Sequence, residues 1–415
     1  MFNQGGLSLD QAPPISVVLR FFITASIFGI LAGVLLLIFG REVFASSSGA
    51  VILTHTLALG VMASFMLGAL FQMLPVIAGV VLQTPTKKAM FVHITFTLGV
   101  MFLLIAFYTA SNYLYLISAF LLTLSLLFIT YIMISNLLKL RDHSSSSKGM
   151  LFALIGFTIT IILGLYLLLA LGGFIEGVYF SKLKQLHYSF GLFGWVALLI
   201  ISISFQVIEM FYVTPSYPDK ISKYLVLIIF ALLLFSPLQN TISTILISLL
   251  FIIYAILTIK RLLKRKRPTK DATVWFWHFG MGMLIASMSI LIAGQFIENE
   301  TLNSLSYLTF IFFALSIVFA MVYKIVPFLV WFHLSNQGFM DAPLMFDIVN
   351  PKEIKKHFYL HIATFTFLIL GLFSDYLFVV ASLMVIASFG LLLYHLVYAA
   401  NKYNYTQKNS KPIKW

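Results

Sequence analysis

The sequence predicts an all-α polytopic membrane protein with about twelve transmembrane helices in three pseudo-equivalent four-helix arcs. Three observations lead to this fold class. Of the 415 residues, 61% are hydrophobic and only 9% are charged, against roughly 25% charged in a soluble domain. Apolar runs long enough to cross a bilayer, about 20 residues each, follow one another along the chain. Short polar motifs also recur in these runs at intervals of about four spans.

Each element is predicted from one apolar run bounded by polar or basic residues. Spans 7 and 8 are separated by only a short break, which contains Pro237 and Asn240. All spans belong to a single transmembrane domain, residues 1–415, with arcs at residues 15–138, 150–261 and 273–400. The predicted spans are residues 15–40, 48–83, 89–110, 113–138, 150–174, 185–213, 221–239, 241–261, 273–297, 303–332, 357–375 and 376–400.

The charge pattern predicts the orientation of the chain. The net charge is +13, and the basic residues concentrate in alternate loops, most densely in residues 260–270. By the positive-inside rule, both termini lie in the cytoplasm, and the protein sits in a bacterial-type inner (cytoplasmic) membrane. Topology therefore explains the charge better than a nucleic-acid partner does. The bilayer is the expected partner. The absence of cysteine from the sequence excludes disulfides and thiolate metal sites.

The second, sixth and tenth spans share a polar pattern in their inner halves. Gln72, Gln206 and Lys324 hold the same place in this pattern, and each follows the one before it by about four spans. Three residues further along, Glu209 aligns with a proline in each of the other spans. This recurrence predicts three units whose second helices line an interior. The aligned strings are residues 71–75 (FQMLP), 205–209 (FQVIE) and 323–327 (YKIVP).

Histidines mark the outer ends of two of these spans. His55 precedes the first aligned glutamine, and His187 precedes the second at nearly the same separation. Tyr307 takes the corresponding place in the tenth span. Neutral imidazole is a good ligand for haem iron or copper, and nearby glycines would let helices or a flat cofactor approach. His55 and His187 are the candidate cofactor ligands; the alternative is an interfacial histidine bonded to a neighbouring helix.

Twelve spans in three arcs of four resemble the haem-copper oxidase subunit I superfamily. In that family a histidine near the outer end of the second helix ligates a haem, and a Gly-rich, Pro-containing segment follows. His55 and residues 68–79 (GALFQMLPVIAG) are similar to that pattern. His187, in LHYSFGLFGW, takes the place of a copper-ligating histidine on the family's sixth helix. The resemblance implies haem b as a cofactor, copper as a further candidate, and electron-donor or respiratory-chain subunits as partners.

This sequence lacks histidine pairs that the oxidases of this family use for their activity. The sequence contains no HH pair and no H-x-H pair, which the oxidases use to build their binuclear centre and to hold their two haems. The sixth span also lacks a tyrosine four residues after its histidine. The resemblance thus implies a relative that is not a functional terminal oxidase. The NnrS-type proteins, with twelve spans and a link to nitric oxide stress, are the nearest functional analogy.

Other polar residues allow further interpretations. Met62 and Met66 with His278 suggest a copper path, since thioethers suit Cu(I), although methionine is also a common core filler. Glu209 and Lys324 either pair across the interior, reach the interface as long side chains, or serve a proton path.

Two more function classes remain open: a secondary transporter or permease, including one for copper, and a metal-free scaffold or assembly factor of a respiratory complex.

Among the remaining histidines, His361 and His395 are predicted to be interfacial. His357 is predicted to be a solvated loop residue.

Overall fold

The computed structural model describes residues 12–45, 47–266, 270–297 and 299–412, and these residues form helices and no β-strands. A 3₁₀ turn, Gly40–Phe44, follows the first helix, and π-helical segments Thr56–Ala63 and Phe190–Ala197 interrupt two long helices. The helices are α1 (Ile15–Phe39), α2 (Ser48–His55), α3 (Ser64–Ala78), α4 (Pro85–Thr109), α5 (Asn112–Leu137), α6 (Ser145–Leu171), α7 (Phe180–Ser189), α8 (Leu198–Tyr212), α9 (Asp219–Phe235), α10 (Asn240–Leu263), α11 (Ala272–Ala293), α12 (Glu300–Asn336), α13 (Met345–Ile348), α14 (Pro351–Gly371) and α15 (Asp375–Asn409).

The described residues contain ten helical stretches that are long and apolar enough to cross a membrane. This confirms the prediction of an all-α, multi-pass membrane protein. The two remaining predicted spans are also helical, as α9 and α14. Helix α9 has only 17 residues, and α14 begins with the charged sequence PKEIKK. The short length of α9 and the charged start of α14 explain why these two helices are not among the ten candidate spans.

The chain forms two compact units, and three of the boundaries between them fall inside α3, α11 and α12. The first unit comprises residues 12–13, 69–266, 281–297 and 299–310, and the second comprises residues 14–45, 47–68, 270–280 and 311–412. In the first unit, α5 packs against both α4 and α6, and α6 packs against α7, α8 and the π segment between them.

In the second unit, α1 packs antiparallel against α15 over a stripe of small residues. A Cβ added at Gly33 would lie 2.9 Å from the backbone nitrogen of Ile386, and one at Gly29 would meet the ring of Phe389. Glycines four residues apart let two membrane helices approach closely and gain dispersion contacts. At the far end of α1, Arg41 forms an ion pair with Asp375 at the start of α15.

Candidate functional site

His55 is the last residue of α2 and lies half-buried in the second unit. Its Nδ1 is 2.9 Å from the carbonyl oxygen of Val51, one helical turn earlier. A carbonyl oxygen only accepts hydrogen bonds, so Nδ1 carries the ring hydrogen and Nε2 carries the lone pair. Histidines that ligate metals in proteins are fixed in this way, with the other ring nitrogen donating to a carbonyl or carboxylate.

The π-helical segment Thr56–Ala63 begins directly after His55. Gly60, within it, faces α1: a Cβ there would lie 2.5 Å from Cγ of Phe28. Met62 and Met66 are both buried in the core. The glycine therefore serves close helix packing, and both methionines are core residues of the second unit.

His187 lies on α7 in the first unit, half-buried against α6. Its Nδ1 is 3.0 Å from the carbonyl oxygen of Thr160, which selects the same tautomer as in His55. The ring rests over Gly164, where an added Cβ would come within 3.0 Å of the imidazole Cε1. The alternative of a bond to a neighbouring helix thus describes the Nδ1 side of this ring, and the role of His187 as a cofactor ligand stays a prediction.

A second π-helical segment, Phe190–Ala197, begins shortly after His187. Its Gly194 contacts α6 so closely that a Cβ on Gly156 would clash with the Gly194 carbonyl oxygen. Gly191 is less crowded, since its added Cβ would meet only a methyl of Thr160 at 3.4 Å. One glycine therefore provides helix packing and the other leaves space beside the histidine.

The backbone around the two histidines repeats at a constant interval. The two π segments begin as far apart in the sequence as Gln72 lies from Gln206. The starts of α3 and α8 are separated by the same interval. A residue with a positive φ angle ends each helix, Gly79 after α3 and Val213 after α8. The interval between these two residues is the same as that between the two π segments. Polar motif, π segment and helix end therefore recur together.

The aligned inner residues have different surroundings. Gln72 is buried in the first unit, and its Oε1 has no hydrogen-bond partner there among the described residues. Gln206 is half-buried. Glu209 is also half-buried and accepts a hydrogen bond from the backbone N–H of Tyr217 at 3.2 Å. The unsatisfied oxygen of Gln72 marks a place where a water or a ligand would complete the hydrogen bonding.

Lys324 donates to Asp271, with 2.6 Å between Nζ and Oδ2. Thr273 adds two hydrogen bonds to the same carboxylate, one from its backbone N–H and one from its hydroxyl. Burial opposes charge on Asp271, but the Lys324 ammonium and these bonds outweigh it and lower the pKa of the carboxyl. Asp271, in the loop before α11, is thus a partner of Lys324, whereas Glu209 was the partner that the sequence suggested.

Two other candidates occupy half-buried positions on helices. Tyr307 lies on α12 within the first unit. His278 lies on α11 in the second unit, with Nδ1 2.9 Å from the carbonyl oxygen of Val274. Its hydrogen bond resembles those of His55 and His187.

Three further histidines require a correction. His357, predicted to be a solvated loop residue, lies on α14 with 0% of its surface exposed. His361 and His395, predicted to be interfacial, are also buried. The polar start of α14 explains the error, because the sequence PKEIKKH is typical of a loop. Neighbouring helices of the second unit cover this face of α14, which the sequence alone did not show.

Neither the protein-family models nor the curated proteins yield a match to this chain. Function must therefore be inferred from its own residues.

Those residues fit a haem. Among the described residues no three or more His, Asp or Glu side chains group so as to hold a metal ion. A haem, by contrast, needs only one or two axial ligands from the protein. His55 and His187 have the tautomer for that role.

Proposed function

We propose that this chain is a subunit-I-like integral membrane haem protein, with haem b as its cofactor and with His55 and His187 as the residues that would bind it. Its role would be redox, nitric-oxide-related or respiratory-accessory, and not the reduction of oxygen. One observation carries the proposal: both histidines stand just before a π-helical segment, with Nδ1 fixed by a backbone carbonyl. Within α-helices, π segments are rare and frequently lie at functional sites.

The chain's own groups would orient the haem and shield it from water. The carbonyls of Val51 and Thr160 fix the two imidazole rings. Trp195, within the second π segment, stacks on Phe157 of α6 with 4.2 Å between the ring centroids. A bound haem would supply one-electron chemistry or a site for a diatomic gas. The sequence lacks the HH and H-x-H pairs, which is why the proposal excludes a terminal oxidase.

The proposed fold has twelve spans in three arcs, with α9 as one of the spans. In the first unit, the backbone N–H of Lys266, after α10, donates to the carbonyl of Val213, which ends α8. The ends of α8 and α10 therefore lie on the same side. Since α10 is a candidate span, this contact supports α9 as a further span that runs in the opposite direction. Its 17 residues span about 26 Å, close to the lower limit for a spanning helix.

Contacts in the second unit likewise support α14 as a membrane span. Gln337, just after α12, bonds to Tyr403 and Gln407 near the end of α15. The start of α15 lies at the opposite end, where Asp375 meets Arg41. These contacts support a crossing between residues 337 and 375, and α14 is the long helix in that interval. The antiparallel pairing of α1 and α15 also supports both termini on one side, which we assign to the cytoplasm.

The test is spectroscopic. The purified full chain in detergent should give a reduced-minus-oxidised spectrum and a pyridine haemochrome of b type. His55→Ala and His187→Ala should each shift or abolish the Soret band. His143→Ala, which changes a loop histidine, is the matched control and should leave the spectrum unchanged.

The alternatives predict different outcomes. Folded protein without haem or copper would overturn the proposal and favour a transporter or a metal-free scaffold. Copper without haem would favour copper handling by His278, Met62 and Met66. Haem with an unchanged spectrum in both histidine variants would show that the ligands were chosen wrongly.

A further inference from the structure

A buried hydrogen-bond network joins α12, α14 and α15 within the second unit. The Tyr323 hydroxyl is 2.7 Å from Nδ1 of His357 and 3.1 Å from Nδ1 of His395. On its other side, Nε2 of His357 is 2.7 Å from Oγ of Ser388. The four groups form one continuous chain in the order His395, Tyr323, His357, Ser388.

Aromatic rings enclose the centre of this chain. Phe319 lies 4.8 Å from His357 between ring centroids, and Phe276 lies 5.8 Å from it. All four members of the chain are buried. An apolar enclosure disfavours charge, so the network is one of neutral imidazoles, a phenol and a hydroxyl.

Counting hydrogens gives two consistent arrangements. Tyr323 has one O–H, so it can donate to only one of the two Nδ1 atoms and must accept from the other. If it donates to His357, then His395 donates to it and His357 donates through Nε2 to Ser388. If it donates to His395, every bond in the chain reverses, and Ser388 donates to His357. Both arrangements use the same heavy-atom positions.

One end of the network lies near a charged surface group. Glu353, on the first turn of α14, interacts electrostatically with His395 and accepts a hydrogen bond from Lys356. Next along the buried face of α14, Nε2 of His361 is 2.9 Å from Oγ of Ser316. On α12, Lys324 beside Tyr323 is paired with Asp271.

We propose that His395, Tyr323, His357 and Ser388 form a proton relay leading from the surface at Glu353 into the second unit. A hydronium ion at the Glu353 end of the network gives a proton to Nε2 of His395 and becomes water. The Nδ1 proton of His395 then moves to the Tyr323 oxygen, and the Tyr323 proton moves to Nδ1 of His357. The Nε2 proton of His357 moves to Ser388, which releases its own hydroxyl proton to a water molecule. One proton enters, one leaves, and the bonds end reversed.

Solid-state NMR of the full chain in lipid bilayers, with ¹⁵N-labelled histidine, tests this relay. The sequence has nine histidines, and His357→Gln and His395→Gln assign the two signals. Exchange between the two arrangements predicts ring-nitrogen shifts intermediate between the protonated and unprotonated limits. Tyr323→Phe, which removes only the bridging hydroxyl, should move both histidines to fixed tautomers.

Tyr394→Phe is the matched control. Its ring neighbours His395 but its hydroxyl is outside the network, so it should leave the shifts intermediate. If Tyr323→Phe does not fold, Ser388→Ala removes the terminal hydroxyl and should fix His357 in one tautomer. Fixed tautomers in the unmodified chain would overturn the relay. So would intermediate shifts that persist in Tyr323→Phe or, where that variant does not fold, in Ser388→Ala.

Discussion

At the scale of single residues, burial by neighbouring helices governs what a polar side chain does. His357 follows a run of lysines and a glutamate in the sequence, yet it lies at the centre of a hydrogen-bond network. Asp271 appears in the sequence as an ordinary loop carboxylate, yet it accepts hydrogen bonds from Lys324 and Thr273. A satisfied polar group can be buried at little cost, whereas an unsatisfied one is expensive.

The Asp271–Lys324 pair allows a prediction about stability. Both side chains are 24% exposed, so Asp271→Asn should leave a half-buried ammonium without its counter-charge and cost about 1–2 kcal/mol near neutral pH. The thermal unfolding midpoint in detergent measures this loss. Asp375→Asn breaks an ion pair whose carboxylate side chain is 79% exposed. It is the control and should cost less than about 1 kcal/mol.

The pH dependence of this difference has a definite sign. The folded-state pKa of Asp271 lies below its ordinary value of 3.8, so the carboxylate form stabilises the fold above that pH. The contribution is lost as pH falls through the folded-state pKa. The difference in unfolding midpoint between the unmodified chain and Asp271→Asn should therefore narrow below pH 3.8. A difference that grows on acidification would contradict the prediction.

At the scale of elements, the π segments are the feature that connects sequence repetition with the candidate ligands. Each interrupts a long, otherwise α-helical span shortly after a histidine, and the two recur at the interval that separates Gln72 from Gln206. The third aligned helix, α12, is α-helical throughout Glu300–Asn336 and has Tyr307 where the others have histidine. A histidine at this outer position and a π segment thus occur together in two of the three helices, and the third has neither.

Packing against the second π segment can be tested with glycine substitutions. Gly156→Ala would place a Cβ against the backbone carbonyl oxygen of Gly194, which cannot rotate away. We expect a loss of about 1–3 kcal/mol from overpacking. Gly282→Ala, in α11, meets nothing within 4 Å and should be neutral or stabilising by roughly 0.5–1 kcal/mol. Equal unfolding midpoints for the two variants would argue against close contact between α6 and this segment.

At the scale of the whole molecule, the proposed twelve-span topology gives a prediction that can be tested by cysteine labelling, because the chain has no cysteine of its own. Leu238→Cys, between α9 and α10, and Phe373→Cys, before α15, change exposed residues. Both should react with a membrane-impermeant maleimide in intact cells. Met340→Cys and Tyr405→Cys, also at exposed positions, should react only after the membrane is opened. Protection of Leu238→Cys in intact cells would remove α9 from the spans, and protection of Phe373→Cys would remove α14.

The amino-acid sequence was enough to predict an all-α, multi-pass membrane protein, because hydrophobic runs of helical length have few stable arrangements in a bilayer. It also identified the aligned positions of Gln72 and Gln206 and the two histidines that precede the π segments. The π segments themselves, the partner Asp271 and the buried chain from His395 to Ser388 became visible only in three dimensions. The physical reason is distance along the chain. Periodicity records which face of a helix is apolar, but a hydrogen bond between Tyr323 and His395, 72 residues apart, depends on how helices pack.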